Sequence, residues 1–339
     1  MTKPHTRRSR LQAAVAAVVL LTAGLTGCSA NGAEGDGKTI RYQSYTGMID
    51  LPELADALGY LGDIELDRVG DVQGGPESLR ALATDQVDYG GAFNGAIAKV
   101  ASTGVPITAV ISYYGSSGDV SSSVLTTKGG PTSARDLIGK KVAVNTLGAN
   151  AEAVLDTWFE SEGLTPDEID RVTLVPLPGI NTEAALREGQ VDAAYLGGSL
   201  KEIALEKGGL ETLVTDIDLV GPYNGGSYVL RDDFIKDHPE TAEKFVGAVA
   251  KALDYAQTHS VDEVRALMTD YLTKQGREDS AAALALWHGN GVATTGGVIR
   301  DEDFTLWLHW LESSGEVESG SIEPSEIYTN EFNPYAEEG

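Results

Sequence analysis

Apolar positions along this chain fall into two rhythms that take turns. Short apolar runs predict strands at residues 38–42, 64–69, 87–91, 107–113 and 123–127. Between the first two, Leu51, Leu54, Ala55, Leu58 and Leu61 recur every three or four positions and predict a helix over 51–61. Gly74-Gly75-Pro76 supplies a start signal for a helix at 77–84, and another is expected at 94–102. The same grammar then resumes. A short helix at 133–137 is followed by strands at 141–145, 172–176, 191–196 and 210–215, with helices at 149–162, 181–187 and 199–207 between them. A last strand is expected at 227–231, after Gly225-Gly226. The remainder reads as helical at 233–235, 239–258, 262–271, 280–288 and 301–311, before an acidic tail with Pro324 and Pro334 that packs partly over one lobe. Strand and helix alternating at this spacing argue for an α/β fold with mainly parallel sheets.

The first 28 residues follow a different rule. Lys3, Arg7, Arg8 and Arg10 precede an uncharged stretch rich in Ala, Val and Leu from Leu11 to Thr26, and no acidic residue occurs before Glu34. A basic start followed by a short apolar segment is the pattern of an export signal, expected over 1–27. The alternative, an uncleaved membrane-spanning anchor, needs roughly 20 apolar residues. Leu25-Thr26-Gly27-Cys28 is similar to a bacterial lipobox, and Cys28 is the only cysteine, so no internal disulfide can form. Lipidation at Cys28 is therefore expected, with 28–37 as a flexible polar tether and attachment to the extracytoplasmic face of the cell membrane through the lipid.

Charge narrows the partners. Cleavage before Cys28 leaves 21 Lys and Arg against 51 Asp and Glu, a formal charge of −30. Such a chain is a poor ligand for nucleic acid, whose backbone demands cations. It also gains nothing from anionic lipid. Length beyond a usual single domain points to two lobes.

Three phrases carry a family resemblance. Ser78-Leu79-Arg80-Ala81-Leu82-Ala83-Thr84-Asp85-Gln86-Val87-Asp88-Tyr89-Gly90-Gly91 is a helix, turn and strand. Asp136-Leu137-Ile138-Gly139-Lys140-Lys141-Val142-Ala143-Val144 opens a second half, and Ala184-Ala185-Leu186-Arg187-Glu188-Gly189-Gln190-Val191-Asp192-Ala193-Ala194-Tyr195 repeats the first pattern there. Their order behind a lipobox resembles the solute-binding proteins of nitrate, sulfonate, taurine and thiamine-precursor ABC importers, over roughly residues 39–272. The resemblance implies a periplasmic-binding-protein-like fold: two α/β lobes, a two-strand hinge and a helical C-terminal region. It places lobe I at 38–127 and 226–339, lobe II at 128–225, and the crossovers near 126–130 and 220–227. It further implies a monomer that holds a small-molecule ligand between the lobes, without a cofactor or metal, and hands it to permease subunits. Asp88 and Asp192, each opening a strand after a polar turn, are expected to serve the turn and not the ligand.

Loops at strand ends supply the candidate site. Ser44 and Tyr45 follow the first strand, and Gly74 and Gly75 precede a helix whose amides can meet an anionic oxygen. Gly91, Phe93 and Asn94 stand at the next strand-to-helix turn. Tyr113 and Tyr114 would point to opposite faces of a regular strand, so only one is expected at the cleft. Asn145, Thr146 and Asn150 are the best polar candidates, with N-capping the competing role for Asn150. Tyr195, Gly197 and Asn224 complete the set, while Trp158 inside a helix is expected in the core. The aromatic candidates suit a flat organic solute and the helix N-termini suit an acidic group; no Lys or Arg stands in the candidate loops.

An enzyme is not expected. The histidines show no H-E-x-x-H spacing, and the chain has no G-x-S-x-G elbow, phosphate loop or dinucleotide fingerprint. The same lobe architecture resembles enzymes of thiamine-precursor and menaquinone synthesis, which is one alternative; a sensory or structural lipoprotein is the other.

Overall fold

The computed structural model describes residues 37–338 except Thr46, so the expected export signal, Cys28 and nearly all of the expected tether lie outside the described residues. Strands β1 (Thr39–Ser44) and β2 (Glu65–Asp71) flank helix α1 (Leu51–Ala57) and pair in parallel. Helix α1 stops short of the expected residue 61 because Gly59 takes a left-handed φ of 72°, which ends the helix without steric cost. Helix α2 (Gly75–Ala83) leads into β3 (Tyr89–Phe93), and α3 (Asn94–Ser102) into β4 (Ile107–Ser116).

Residues 117–122 then carry the chain to a five-stranded sheet and its helices. This half is built from β5 (Ser123–Thr127), β6 (Lys141–Val144), α4 (Asn150–Ser161), α5 (Pro166–Ile169), β7 (Thr173–Pro176) and α6 (Gly179–Arg187). Strand β8 (Ala193–Leu196), α7 (Gly198–Glu206), β9 (Leu210–Thr215) and α8 (Asp216–Val220) complete it. The chain returns through β10 (Tyr223–Arg231) to α9 (Asp232–Asp237), α10 (Pro239–Thr258), α11 (Val261–Lys274), α12 (Glu278–Ala283) and α13 (Glu302–Ser313). Among the described residues no helix is long and apolar enough to cross a membrane.

Three sheets result: β1-β2, β3-β10-β4 and β7-β6-β8-β5-β9. The first is parallel, the second antiparallel and the five-stranded sheet mixed, which corrects the expectation of mainly parallel sheets. Strand β10 runs antiparallel to both β3 and β4, and β5 runs antiparallel to both β8 and β9. These are the two strands entered from the other sheet, and each arrives against the direction set by the βα units around it. The α/β fold itself stands as the sequence predicts.

Strand β5 also revises the expected boundary. The resemblance places residues 123–127 in lobe I, yet β5 hydrogen-bonds between β8 and β9 in the middle of the five-stranded sheet. The first passage between sheets therefore falls at 117–122, ahead of the expected 126–130. Val124 and Leu125 are both fully buried, so the apolar run reads the same whichever sheet claims it.

The repeated phrases have a shared structural job. The Asp88 carboxylate accepts the Arg41 amide at 2.7 Å, and the Asp88 amide donates to the Arg41 carbonyl. Asp192 does the same with Lys141, accepting its amide at 2.9 Å and donating to its carbonyl. Each aspartate thus aligns a strand entry with its neighbour, and neither lines the cavity described below.

Helix α10 packs its Ala242, Phe245, Val246, Val249 and Leu253 face into one core with α1, Ile40 and Ile111. Burial of each large apolar side chain contributes about 1.5–3 kcal/mol. A second core joins Trp158 and Phe159 of α4 to Phe304, Trp307 and Leu311 of α13, which confirms Trp158 as a core residue. The tail crosses β4, where Ala109 and Tyr328 form a parallel bridge and Ile327 is fully buried.

Candidate functional site

Loops from both main sheets enclose a cavity of about 250 Å³. Its aromatic wall comes from Tyr45, Phe93, Tyr113, Tyr114 and Trp287. The Tyr45 hydroxyl donates to the Gly91 carbonyl at 2.5 Å, which fixes that ring over the end of β3. Tyr113 stacks on Tyr228 with centroids 4.3 Å apart, and Phe93 meets Trp307 edge-on at 4.8 Å. These rings are held by their neighbours before any solute arrives. A Cβ at Gly91 would approach Tyr113 and Tyr228 to 3.1 Å, so glycine there leaves room for the stack.

Tyr113 and Tyr114 both line the cavity, contrary to the expectation of one. Strand β4 is irregular at that point: Ser112 pairs with Ser227 and Tyr114 with Gly226, leaving Tyr113 as an extra residue. Such a bulge breaks the strict alternation of faces and brings both rings to one side.

The polar wall, where Tyr195, Asn150 and Ser122 line the cavity, is backed by a connected network. The Tyr195 hydroxyl donates to Asn150 Oδ1 at 2.8 Å, and Asn150 Nδ2 donates to the Tyr223 hydroxyl at 3.1 Å. Tyr223 in turn donates to Asp216 Oδ2 at 3.0 Å, beside Ser116 Oγ at 2.6 Å. Asp216 Oδ1 accepts the amides of Ser122 and Ile217. Only 1 % of Asp216 is exposed, and burial raises its pKa above the ordinary carboxylate value against the pull of these donors. Asn150 is therefore not a helix cap: Ala149 occupies that position, and the Asn150 side chain serves the network.

Helix starts surround the space. Gly74 and Gly75 lead α2, Ala149 and Asn150 lead α4, Gly179 leads α6, and Gly197 and Gly198 lead α7; all of these residues line the cavity. The amides of a helix's first turn lack intrahelical partners and favour a negative group. Asn145 reaches the cavity from the end of β6. Thr146 does not line it but meets Gly74 at the rim.

Four further candidates stand behind the wall. Ser44 is fully buried and accepts hydrogen bonds from Arg68 and Arg277, within a cluster where Arg277 also pairs with Glu53. Gly91 contributes its carbonyl to Tyr45 and is absent from the lining. Asn94 donates to the carbonyls of Asn224 and Asp303, and Asn224 donates to Asp303, Thr294 and Val298. Both asparagines are fully buried, so their amide groups are consumed in holding β10 against α3 and α13.

Sequence reasoning misses Ser121, Ser122, Thr182, Trp287 and Asn290 on the lining. The two serines lie in the passage between sheets, whose run of three serines was the available signal. Trp287 and Asn290 come from the region read only as helical tail. Helix α12 ends at Ala283, and the Gly289-Asn290-Gly291 turn lets Asn290 Nδ2 hold the carbonyls of Ile49 and Tyr113, each at 3.0 Å.

The family profile described as NMT1/THI5 like matches residues 54–262, more than half of the chain. The chain belongs to the NMT1/THI5-like family. A Bacillus subtilis (strain 168) protein, provisionally named an aliphatic sulfonates-binding protein, is 25% identical over 258 residues, covering 73% of this chain and 74% of that one. The periplasmic aliphatic sulphonate binding protein SsuA of Escherichia coli shares the fold with a TM-score of 0.64, at 17% identity over 86% of this chain and 92% of that one. The fold also carries catalysis: the desulfurization enzyme DSZB matches with a TM-score of 0.59 at 18% identity, over 87% of this chain and 97% of that chain. The NMT1/THI5-like chain described here thus has the periplasmic-binding-protein fold that its sequence resembles.

Proposed function

We propose that this protein is the extracytoplasmic solute-binding component of an ABC importer, taking a small organic solute with an acidic group between two lobes and delivering it to permease subunits. The observation that carries the reading is the cavity itself. Rings at the ends of β1, β3 and β4 face Asn145, Tyr195 and the starts of α4, α6 and α7 in the five-stranded half, so a single solute can touch both sides. The likeness to a protein named for binding aliphatic sulfonates supports an acidic group on that solute. The lobes follow the sheets, with passages at 117–122 and 216–222. Binding that favours the state in which both sides touch solute shifts the population of that state, which gives a permease a surface to recognise.

The lining favours a binding protein over an enzyme. Its side chains are mainly hydroxyl, amide, aromatic and aliphatic, and burial raises the pKa of Tyr45, Tyr113, Tyr114 and Tyr195, which keeps their phenols protonated and suited to orienting a solute. In this reading the protein works as a monomer on the outer face of the cell membrane, held by a lipid on Cys28.

A thermal-shift screen of sulfonates, carboxylates, nitrate and heterocycles against the mature protein, followed by calorimetry, tests the reading. At least one organic acid is expected to raise the melting temperature and bind one to one. A flat response across all four classes would remove the uptake assignment.

A further inference from the structure

Building on the solute-binding reading, we propose that Lys201 selects an anionic head group in the cavity, acting through Ser121 as a positioning residue. Lys201 is the fourth residue of α7, whose first residues line the cavity. Helical side chains lean toward the N-terminus of their helix, so the lysine stem runs back toward the passage between sheets. There Lys201 Nζ donates to Ser121 Oγ at 3.2 Å, and Ser121 lines the cavity. The lysine side chain is 7% exposed.

An ammonium has donors and no acceptor, so Ser121 can only accept from it. The hydroxyl proton of Ser121 is then left for another acceptor, and the cavity is where a solute can provide one. A hydroxyl whose oxygen already holds an ammonium proton is a stronger donor, because neighbouring hydrogen bonds polarise one another. Among the described residues no charged side chain lines the cavity, so this route brings a positive charge up to its wall.

The counter-charges are unequal. Glu202 Oε1 lies 3.0 Å from the ammonium, with His288 Nε2 3.9 Å beyond it. The Glu202 side chain is 30% exposed, so water screens it. A buried ammonium facing a solvated carboxylate retains unmet attraction for an anion on its dry side. The adjacent serine is tied to the opposite sign, since the Ser122 amide donates to buried Asp216. Neighbouring residues of one passage therefore polarise the cavity, positive at Ser121 and negative toward Asp216. An acidic head belongs at the Ser121 end.

Calorimetry with butanesulfonate and benzenesulfonate, each paired with its neutral sulfonamide, tests this in the mature protein. Lys201→Met is expected to weaken the sulfonates at least about tenfold, as for a hydrogen bond to a charged group, and to move the sulfonamides less than about twofold. Lys201→Arg should restore most of the preference, and Ser121→Ala should lose it. Lys201→Gln serves if the methionine variant does not fold. An unchanged sulfonate-to-sulfonamide ratio in the lysine variants overturns the role of Lys201 while leaving solute binding in place. A wild-type protein that binds heterocycles but neither sulfonate overturns it too. Should the wild type bind nothing at all, solute binding itself falls with it.

Discussion

A Cβ on Gly74 would stand 2.8 Å from Cγ2 of Thr146, so the β2–α2 turn and the β6–α4 loop meet with only glycine's hydrogen between them. The Gly47 loop makes a comparable approach to Leu200 on α7, where a Cβ would come within 3.4 Å. Loops of opposite sheets therefore touch at the rim of the cavity.

Gly74→Val should wedge that rim. The glycine has an extended φ of −170°, which any residue adopts, so the clash with Thr146 is the main penalty. Overpacking costs about 1–3 kcal/mol, which predicts solute affinity weakened about five- to a hundredfold. Calorimetry reads the affinity, and small-angle scattering should show a more open shape in the presence of solute. Adding Thr146→Gly should return the affinity; a double variant as weak as the single one would refute the contact.

The two strand-aligning aspartates should differ in cost. Asp88 is nearly buried and holds Arg41 through side chain as well as amide, with Arg231 close by. Asp192 is more exposed and pairs with the half-exposed Lys140 at 3.4 Å. Asp88→Ala is expected to destabilise by about 2–4 kcal/mol and Asp192→Ala by about 1 kcal/mol, measured by urea unfolding. Equal losses would mean that the amide bond alone sets the cost.

Asp156 should make stability depend on pH. Burial, aided by Glu152 and Glu160 on the same helix and by Asp170, raises its pKa from an ordinary 3.8 to about 6, although Trp310 Nε1 donates to it at 3.0 Å. The folded protein binds this proton more tightly than the unfolded chain does. The resulting stability is complete below 3.8 and is lost as pH rises through about 6. Asp156→Asn keeps an acceptor for Trp310 and cannot ionise. It should be stabilising by about 2 kcal/mol near pH 7.5 and close to neutral near pH 4, by chemical unfolding at both values. A gain that does not change with pH would refute the assignment.

Element existence was legible because it depends on local rhythm. Leu51, Leu54 and Ala55 must share a face, and the run at 239–258 can bury a stripe only as a helix. Sheet membership was less legible. The five residues of β5 suit the interior of either sheet, and pairing with β8 and β9 is a contact across about 70 residues of sequence at one partner. Of the candidate site, Tyr45, Gly74, Gly75, Phe93, Tyr113, Asn145, Asn150, Tyr195 and Gly197 line the cavity because strand ends in an α/β fold open onto it. Ser44, Asn94 and Asn224 failed that rule: buried polar groups must find partners, and nearer ones in the fold claimed them.

By itself the sequence determined the alternation of strands and helices, the acidic surface and the family, since each follows from residue type and short-range spacing. Tertiary structure alone decided that Trp287 and Asn290 reach back to the cavity, that a bulge turns Tyr114 to the same side as Tyr113, and that Lys201 lies behind Ser121. Those are relations between residues far apart in the chain or offset by one position in a ladder. Side-chain pattern carries no record of either, because it encodes which face is buried and not which distant group will be found there.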